Sequence, residues 1–334
     1  MRALAITSKG MELVDRPDPE PEPTGVVVTV QACGICGSDV HMAGSSHLEG
    51  FVPGHEFSGT ITAVGDAVSD FAIGDHVAVD PLGSCGHCEA CAKGLPFLCQ
   101  AIPNIGVSRQ GAFAEQIAVP VRQLHRLSNE VDLELGSHAE PLAVSLAAID
   151  RAEVEPDSDV LVVGVGTIGL MAVAGLRRRG VGRIVAVGRS PGRRAAAAQM
   201  GADIVIDARE GNLSEQLGNL GLRFAAAIEC SGAPDMVFQI APFMGIGASI
   251  VEVALPAEPG PVDLRGLVAL GLSVTGSCAF APEHYAHAVD LLTTGDLDPS
   301  PLVSERVGLD DAPSAFERLL SPDTLVGVLV EPWR

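Results

Sequence analysis

The sequence predicts an α/β chain of two domains, one built from short strands and one a doubly wound parallel sheet. Three observations predict it. The first third reads as short strands, TGVVVTVQAC, FSGTITAVG and DHVAVD, separated by Gly and Pro clusters. From Asp159 onward the rhythm changes to strand and helix in alternation. Gly164, Gly166 and Gly169 stand directly after one of those strands and directly before a helix, as G-x-G-x-x-G.

The alternating stretch runs in order through DVLVV, IGLMAVAGLRRR, RIVAV, RRAAAAQM, DIVI, LSEQLGNL, AAAIEC, DMVFQIAPF, ASIVEV, LRGLVAL and LSVTGS. Its six strands with helical crossovers make a parallel sheet. The tail adds two amphipathic helices, EHYAHAVDLLTTG and DAPSAFERLL, and a last strand in TLVGVLVEP. Because the sheet is complete before them, they are assigned back to the first domain. The expected division is 1–143 with 282–334, and 144–281. No internal repeat or low-complexity segment is read, and RPDPEPEP near the start is a short loop.

A chain of 334 residues with 47% hydrophobic content can fill two cores. Its 42 acids against 21 bases give a net charge of −21, which repels nucleic acid and anionic membranes at long range. Any anion it binds must be captured locally. Nineteen of the bases are arginines and two, Lys9 and Lys93, are lysines, a bias read as compositional. The N-terminus turns charged before an apolar secretory core could form, and the uncharged run Val160–Leu176 is broken by its glycines, so neither a signal peptide nor a membrane span is expected. Eight cysteines are then expected as reduced thiols or metal ligands in a cytoplasmic protein.

Four of them, Cys85, Cys88, Cys91 and Cys99, lie in GSCGHCEACAKGLPFLC at C-x2-C-x2-C-x7-C spacing. Four thiolates complete a tetrahedral zinc shell and leave no open position, which makes such a site structural. In a loop with little apolar content the metal would supply the ordering free energy. An iron–sulfur cluster also takes four cysteines, and four unliganded surface thiols are the bland alternative.

A second set is scattered: Cys36 in ACGICGSDVH, His55 and Glu56 in VPGHEFSG, and Glu140 in HAEPLAVS. Singly, each is an ordinary core residue. Jointly they offer soft, borderline and hard ligands that a catalytic zinc accepts while keeping a position for water or an alcohol.

Taken in order, GICGSDVH, PGHEFSG, the four-cysteine loop, AEPLAV, GVGTIGL and ECSG resemble the zinc-dependent medium-chain dehydrogenase/reductase family over essentially the whole chain. The resemblance implies a GroES-like catalytic domain joined to a Rossmann domain. It implies Cys36 and His55 as catalytic zinc ligands, with Glu56 ligating or exchanging with water and Asp39 buttressing the shell. Glu140 falls where the butanediol, sorbitol and threonine dehydrogenases place a glutamate, and Cys33 matches no ligand position. Zinc in that family is a Lewis acid for the carbonyl or alkoxide oxygen. Ser38 and His41 match its proton relay, against the plainer readings of a turn hydroxyl and an exposed imidazole.

The motif glycines, with Thr167 and Ile168, would bring a helix N-terminus to a dinucleotide pyrophosphate. An NAD enzyme shows an acid at the end of the second strand, to hold the adenosine ribose. Here Gly188 stands in that place, with Arg189 and Ser190 beside it and Arg193 and Arg194 one turn later. Guanidinium without a competing carboxylate suits a 2′-phosphate, so NADP is expected, with use of both cofactors as the alternative.

The expected activity is hydride transfer between NADP(H) and a small secondary alcohol, vicinal diol or polyol, since one Trp and one Tyr leave few aromatic walls for a bulky aryl substrate. Threonine dehydrogenase and aldehyde reductase are alternatives within the family. A zinc-free quinone or enoyl reductase, or a non-catalytic binding protein on the same scaffold, should lack the ligands that are present. The resemblance implies a homo-oligomer, a tetramer before a dimer.

Overall fold

The structure, a computed structural model, describes residues 1–93, 95–320 and 325–334. The chain forms two compact units. One comprises Met1–Glu140 with the described parts of Ala281–Pro322 and Gly327–Arg334; the other is Pro141–Phe280 with Leu325 and Val326.

The first unit opens with an antiparallel hairpin, β1 (Arg2–Thr7) and β2 (Gly10–Asp15). There follow β3 (Gly25–Gly34), helix α1 (Gly37–Met42), β4 (Glu56–Val64), β5 (His76–Val79), the single turn α2 (Glu89–Ala92), β6 (Gln116–Pro120), β7 (Leu124–Leu127) and α3 (Leu133–Ser137). Val26, Val27, Val28 and Val30 of β3 are buried, so the strand is apolar enough to sit inside a sheet. Its antiparallel pairing with β4 runs from Val26↔Val64 to Gly34↔Glu56. That register sets the end of β3 beside the start of β4, and with it Cys36 near His55 and Glu56.

In the second unit α4 (Ala139–Ala152), whose first turn still belongs to the first unit, leads to β8 (Val160–Val163), α5 (Thr167–Arg179), β9 (Ile184–Gly188), α6 (Pro191–Gln199), β10 (Ile204–Asp207), α7 (Leu213–Asn219), β11 (Phe224–Glu229), α8 (Met236–Ile240), β12 (Met244–Glu252), α9 (Leu264–Leu270) and β13 (Ser273–Gly276). The six strands are all parallel in the order β10-β9-β8-β11-β12-β13. That is the doubly wound sheet the alternation predicts. β8 and β9 are buried along their whole length, as strands covered by helices on both faces must be. A core of Leu161, Val163, Val185, Val187, Phe224 and Ile250 fills one face.

The return segment contributes α10 (Pro282–Thr293), β14 (Val303–Val307), α11 (Ala312–Leu319) and β15 (Gly327–Val330). β15 pairs with β3, giving a seven-stranded sheet with path β14-β15-β3-β4-β5-β7, while β6 also pairs with β3. The predicted strand TLVGVLVEP starts at Thr324, which lies outside the described residues; within the rest of it the chain forms β15. The opening hairpin, β6, β7 and β14 have no counterpart in the sequence reading. No helix among the described residues is long and apolar enough to cross a membrane.

Candidate functional site

Three of the scattered residues meet. One ligand atom each from Cys36, His55 and Glu56 lies within 4.8 Å of the others, in a setting where His55 and Glu56 are buried. Cys36 is the N-cap of α1, directly after β3, and Glu56 is the first residue of β4. A Cβ on Gly34 would lie 2.2 Å from Glu56 Oε2, so a side chain there would have to move that carboxyl.

Asp39, wholly buried, braces the group. Its Oδ2 accepts from the Cys36 backbone N–H at 3.0 Å, its Oδ1 accepts from the Gly54 N–H at 3.4 Å, and Oδ1 lies 3.5 Å from His55 Nδ1. That last separation is in ion-pair range without hydrogen-bond geometry, and Nδ1 has no hydrogen-bond partner. One carboxylate thus fixes the backbone of one candidate ligand and faces the ring of the next.

The electrostatics show what the group lacks. Burial first, then Glu56, pushes the Cys36 thiol up. Burial and the neighbouring Glu140 push Glu56 up to about 8, and burial raises Glu140 itself. Burial alone would lower His55, but Asp39 and Cys36 reverse that and hold it well above its ordinary value. Buried acids that retain protons around an imidazole that gains one describe a donor set short of positive charge. A divalent cation supplies that charge and displaces those protons, and the sulfur, nitrogen and oxygen donors are ones zinc accepts. The residues fit the metal. Glu140, in the first turn of α4, is outside the three atoms that lie within 4.8 Å; its carboxyl acts on Glu56 from beyond them.

Ser38 and His41 occupy α1 three residues apart, which sets them on one helix face, and both are exposed. The cap of α1 is Cys36 and not Ser38. Cys33 is buried within β3.

The sulfurs of Cys85, Cys88, Cys91 and Cys99 likewise lie within 4.8 Å of one another. The Cys88 N–H donates to Cys85 Sγ at 3.3 Å. Burial raises the Cys99 thiol, but backbone N–H groups at Cys85, Ala101 and Ile102 outweigh it and bring it down to about 6. Converging amides and four thiols on a loop around one short turn suit a tetrahedral metal shell.

In the second unit Gly164 directly follows β8 with φ of +88°, and Gly166 is the N-cap of α5. A Cβ on Gly169 would fall 1.8 Å from the Gly164 carbonyl oxygen, so the motif packs backbone on backbone. Thr167 and Ile168 form the first turn of α5, and the Ile168 carbonyl accepts from the Ser145 hydroxyl at 2.9 Å. Gly188 ends β9, where a Cβ would lie 2.1 Å from Val165 Cγ2. Ser190 caps α6 by accepting from the Arg193 N–H.

The arginines divide. Arg189 is exposed. Arg193 donates to the Leu325 carbonyl at 3.1 Å, and burial together with the like charge of Arg189 lowers its pKa. Arg194 pairs with Asp207 at the end of the neighbouring strand β10. Asp207 also holds Arg209, which the sequence reading missed. Its signal was its place just after a strand registered with β9, Asp207 opposite Gly188.

Comparison with known proteins agrees with this architecture. Residues 22–129 match the alcohol dehydrogenase GroES-like domain, and residues 167–294 match the zinc-binding dehydrogenase domain. An L-threonine 3-dehydrogenase of Saccharopolyspora erythraea is 32% identical over 95% of each chain. Among solved structures, a zinc-binding dehydrogenase of Sinorhizobium meliloti 1021 bound to NADP superposes with a TM-score of 0.90 at 31% identity over 99% of each chain. An alcohol dehydrogenase of E. coli CFT073 complexed with NADH gives a TM-score of 0.92 at 28% identity, again over 99% of each. With both family domains in order and a relative this similar along nearly its full length, the chain belongs to the zinc-dependent medium-chain dehydrogenase/reductase family of alcohol dehydrogenases.

Proposed function

We propose that the protein is a zinc-dependent, NADP-preferring alcohol dehydrogenase that moves a hydride between the cofactor and a small secondary alcohol, vicinal diol or polyol. The observation that carries this reading is the buried meeting of Cys36, His55 and Glu56, with Glu140 acting on Glu56 from beside them. Zinc held there supplies Lewis-acid stabilisation of the alcohol or carbonyl oxygen. Asp39 positions the Cys36 backbone and faces the His55 ring; the exposed Ser38 hydroxyl takes the alcohol proton and His41 passes it to water. The four-cysteine loop holds a second, structural zinc.

The NADP preference rests on Gly188 and Arg189. Val165 fills the space a side chain at 188 would need, so no carboxylate can stand there to hold a ribose diol or repel a 2′-phosphate. The acid opposite Gly188 on β10, Asp207, is engaged by Arg194 and Arg209, while Arg189 is exposed. Guanidinium binds phosphate through paired hydrogen bonds. A cytoplasmic homo-oligomer, a tetramer before a dimer, completes the proposal.

Initial rates with 2,3-butanediol, sorbitol and L-threonine, each with NADP⁺ and NAD⁺, test it. The reading expects higher kcat/KM with NADP⁺, and expects Arg189→Ala to lose about tenfold or more of that preference while NAD⁺ turnover stays, as befits a lost charge-assisted phosphate contact. Equal efficiency with the two cofactors in the parent, or an unchanged preference in the variant, overturns the cofactor assignment.

A further inference from the structure

Two glutamates at the carboxyl edge of the parallel sheet are left without a role by the zinc and cofactor readings. Glu229 ends β11 and Glu252 ends β12, and they are register partners on parallel strands, so their side chains emerge on the same face. Glu229 is wholly buried. Its carboxylate accepts from the backbone N–H groups of Ser231 at 2.8 Å and Gly232 at 3.2 Å, and from the Ser231 hydroxyl. Three donors thus tie it to residues 231 and 232.

Glu252 has no comparable donors. Its Oε1 is buried without a hydrogen-bond partner, and the register places its side chain beside that of Glu229. Two carboxyls in contact do not both ionise readily, and one proton stays between them. Burial first, and then the hydrogen bond and charge of Glu229, push Glu252 up to about 8.

The segment held by Glu229 lies against the glycine turn. The Cys230 N–H donates to the Val163 carbonyl at 2.7 Å, and a Cβ on Gly164 would sit 2.6 Å from the Cys230 carbonyl carbon and the Ser231 nitrogen. The Val253 N–H donates to the Glu229 carbonyl at 2.9 Å, so both strand ends bear on the same few residues.

We propose that Glu252 is a positioning residue for the dinucleotide: as a neutral acid it lets the Glu229 carboxylate hold residues 230–232 against the glycine turn, and its ionisation drives the two side chains apart and loosens that turn. The inference rests on the reading that this edge binds a nicotinamide dinucleotide.

The titratable groups around the pair are few. On the β11 side stands the Cys230 thiol, which burial and both glutamates keep protonated by pushing it well above its usual value. On the β13 side the Ser277 N–H donates to the Glu252 carbonyl, with the Cys278 thiol beyond it, raised by burial and opposed by Arg151. Helix α9, packed on β12, carries one charged residue, the exposed Arg265.

The test is the pH dependence of NADPH binding, with NADH in parallel, read by nucleotide fluorescence on the zinc-loaded full chain. The range runs from about pH 7 to about pH 9.5, above the second ionisation of a phosphate monoester near 6. Wild-type affinity should fall by about fivefold or more across that range, the size of ordinary coupling between sites. E252Q, which keeps the shape and cannot ionise, should hold its affinity throughout. E229Q, which removes the charge that Glu252 resists, should flatten the profile as well and serves as the check where E252Q does not fold. A wild-type profile that stays flat, or variants that fall with pH as the wild type does, overturns this inference and leaves the cofactor reading standing. Failure of the wild type to bind either dinucleotide at any pH sinks the cofactor reading and this inference with it.

Discussion

At the scale of single residues, the first metal site depends on who holds whom. Asp39 touches the Cys36 backbone, the Gly54 N–H and the edge of His55, yet it lies outside the set of three converging ligand atoms. Replacing it with Asn keeps the shape and removes the charge opposite His55. Outer-sphere partners of this kind are worth about 10- to 100-fold in metal affinity. Asp39→Asn is therefore expected to weaken zinc binding at the Cys36 site by that factor in competition with a chromophoric chelator, while the four-cysteine loop keeps its metal. Unchanged affinity would show that the backbone contacts of residue 39 matter and its charge does not. Cys36, His55, Glu56 and Glu140 could be named from the sequence because the motifs that hold them resemble, in order, those of the family. That the charge of Glu140 raises Glu56 could not, since their separation depends on where α4 starts relative to β4.

At the scale of elements, what was legible follows from periodicity. β8 to β12 read correctly because each contains a short apolar run followed by a helix or a turn, and β8, β9 and β11, buried along nearly their whole length, show the pattern of strands covered on both faces. The hairpin of β1 and β2 was missed because RALAIT and GMELVD carry mixed patterns joined by a tight turn without the usual Asn-Gly or Asp-Gly pair. β14, VSERV, is a half-exposed edge strand that pairs, among the described residues, with β15 alone, so its charged residues hid it in the sequence. The other edge with consequences is β13, which pairs with β12 alone. Val274 on that strand, Ile246 on β12 and Val268 on α9 are exposed, the latter two at 91% and 84%. An uncovered edge bearing apolar side chains is a template for pairing. Sedimentation velocity should therefore show a multiple of the single-chain mass, and Ile246→Asp with Val268→Asp should lower it with the fold retained. A wild-type monomer, or variants that stay assembled, would remove this edge from the assembly.

For the whole molecule, an excess of 21 negative charges coexists with a cofactor that is itself an anion. The resolution is local. The glycine turn and the N-terminus of α5 offer backbone N–H groups at the carboxyl edge of the sheet, with the exposed Arg189 just beyond β9, while the net negative charge acts against polyanions at long range. On the proposed reading the two candidate clusters divide the work in the same local way, four thiols for architecture and a mixed donor set for chemistry. The most direct test of this account is turnover against metal content. NADPH oxidation with acetoin would be followed as zinc is stripped by a chelator and restored, with metal counted per chain. The account predicts two zinc ions per chain, one for each cluster, activity that disappears with the ion held at Cys36, His55 and Glu56, and recovery when zinc alone is returned. Full turnover by a chain stripped of metal would contradict it and move the zinc-free reductases on this fold to the front.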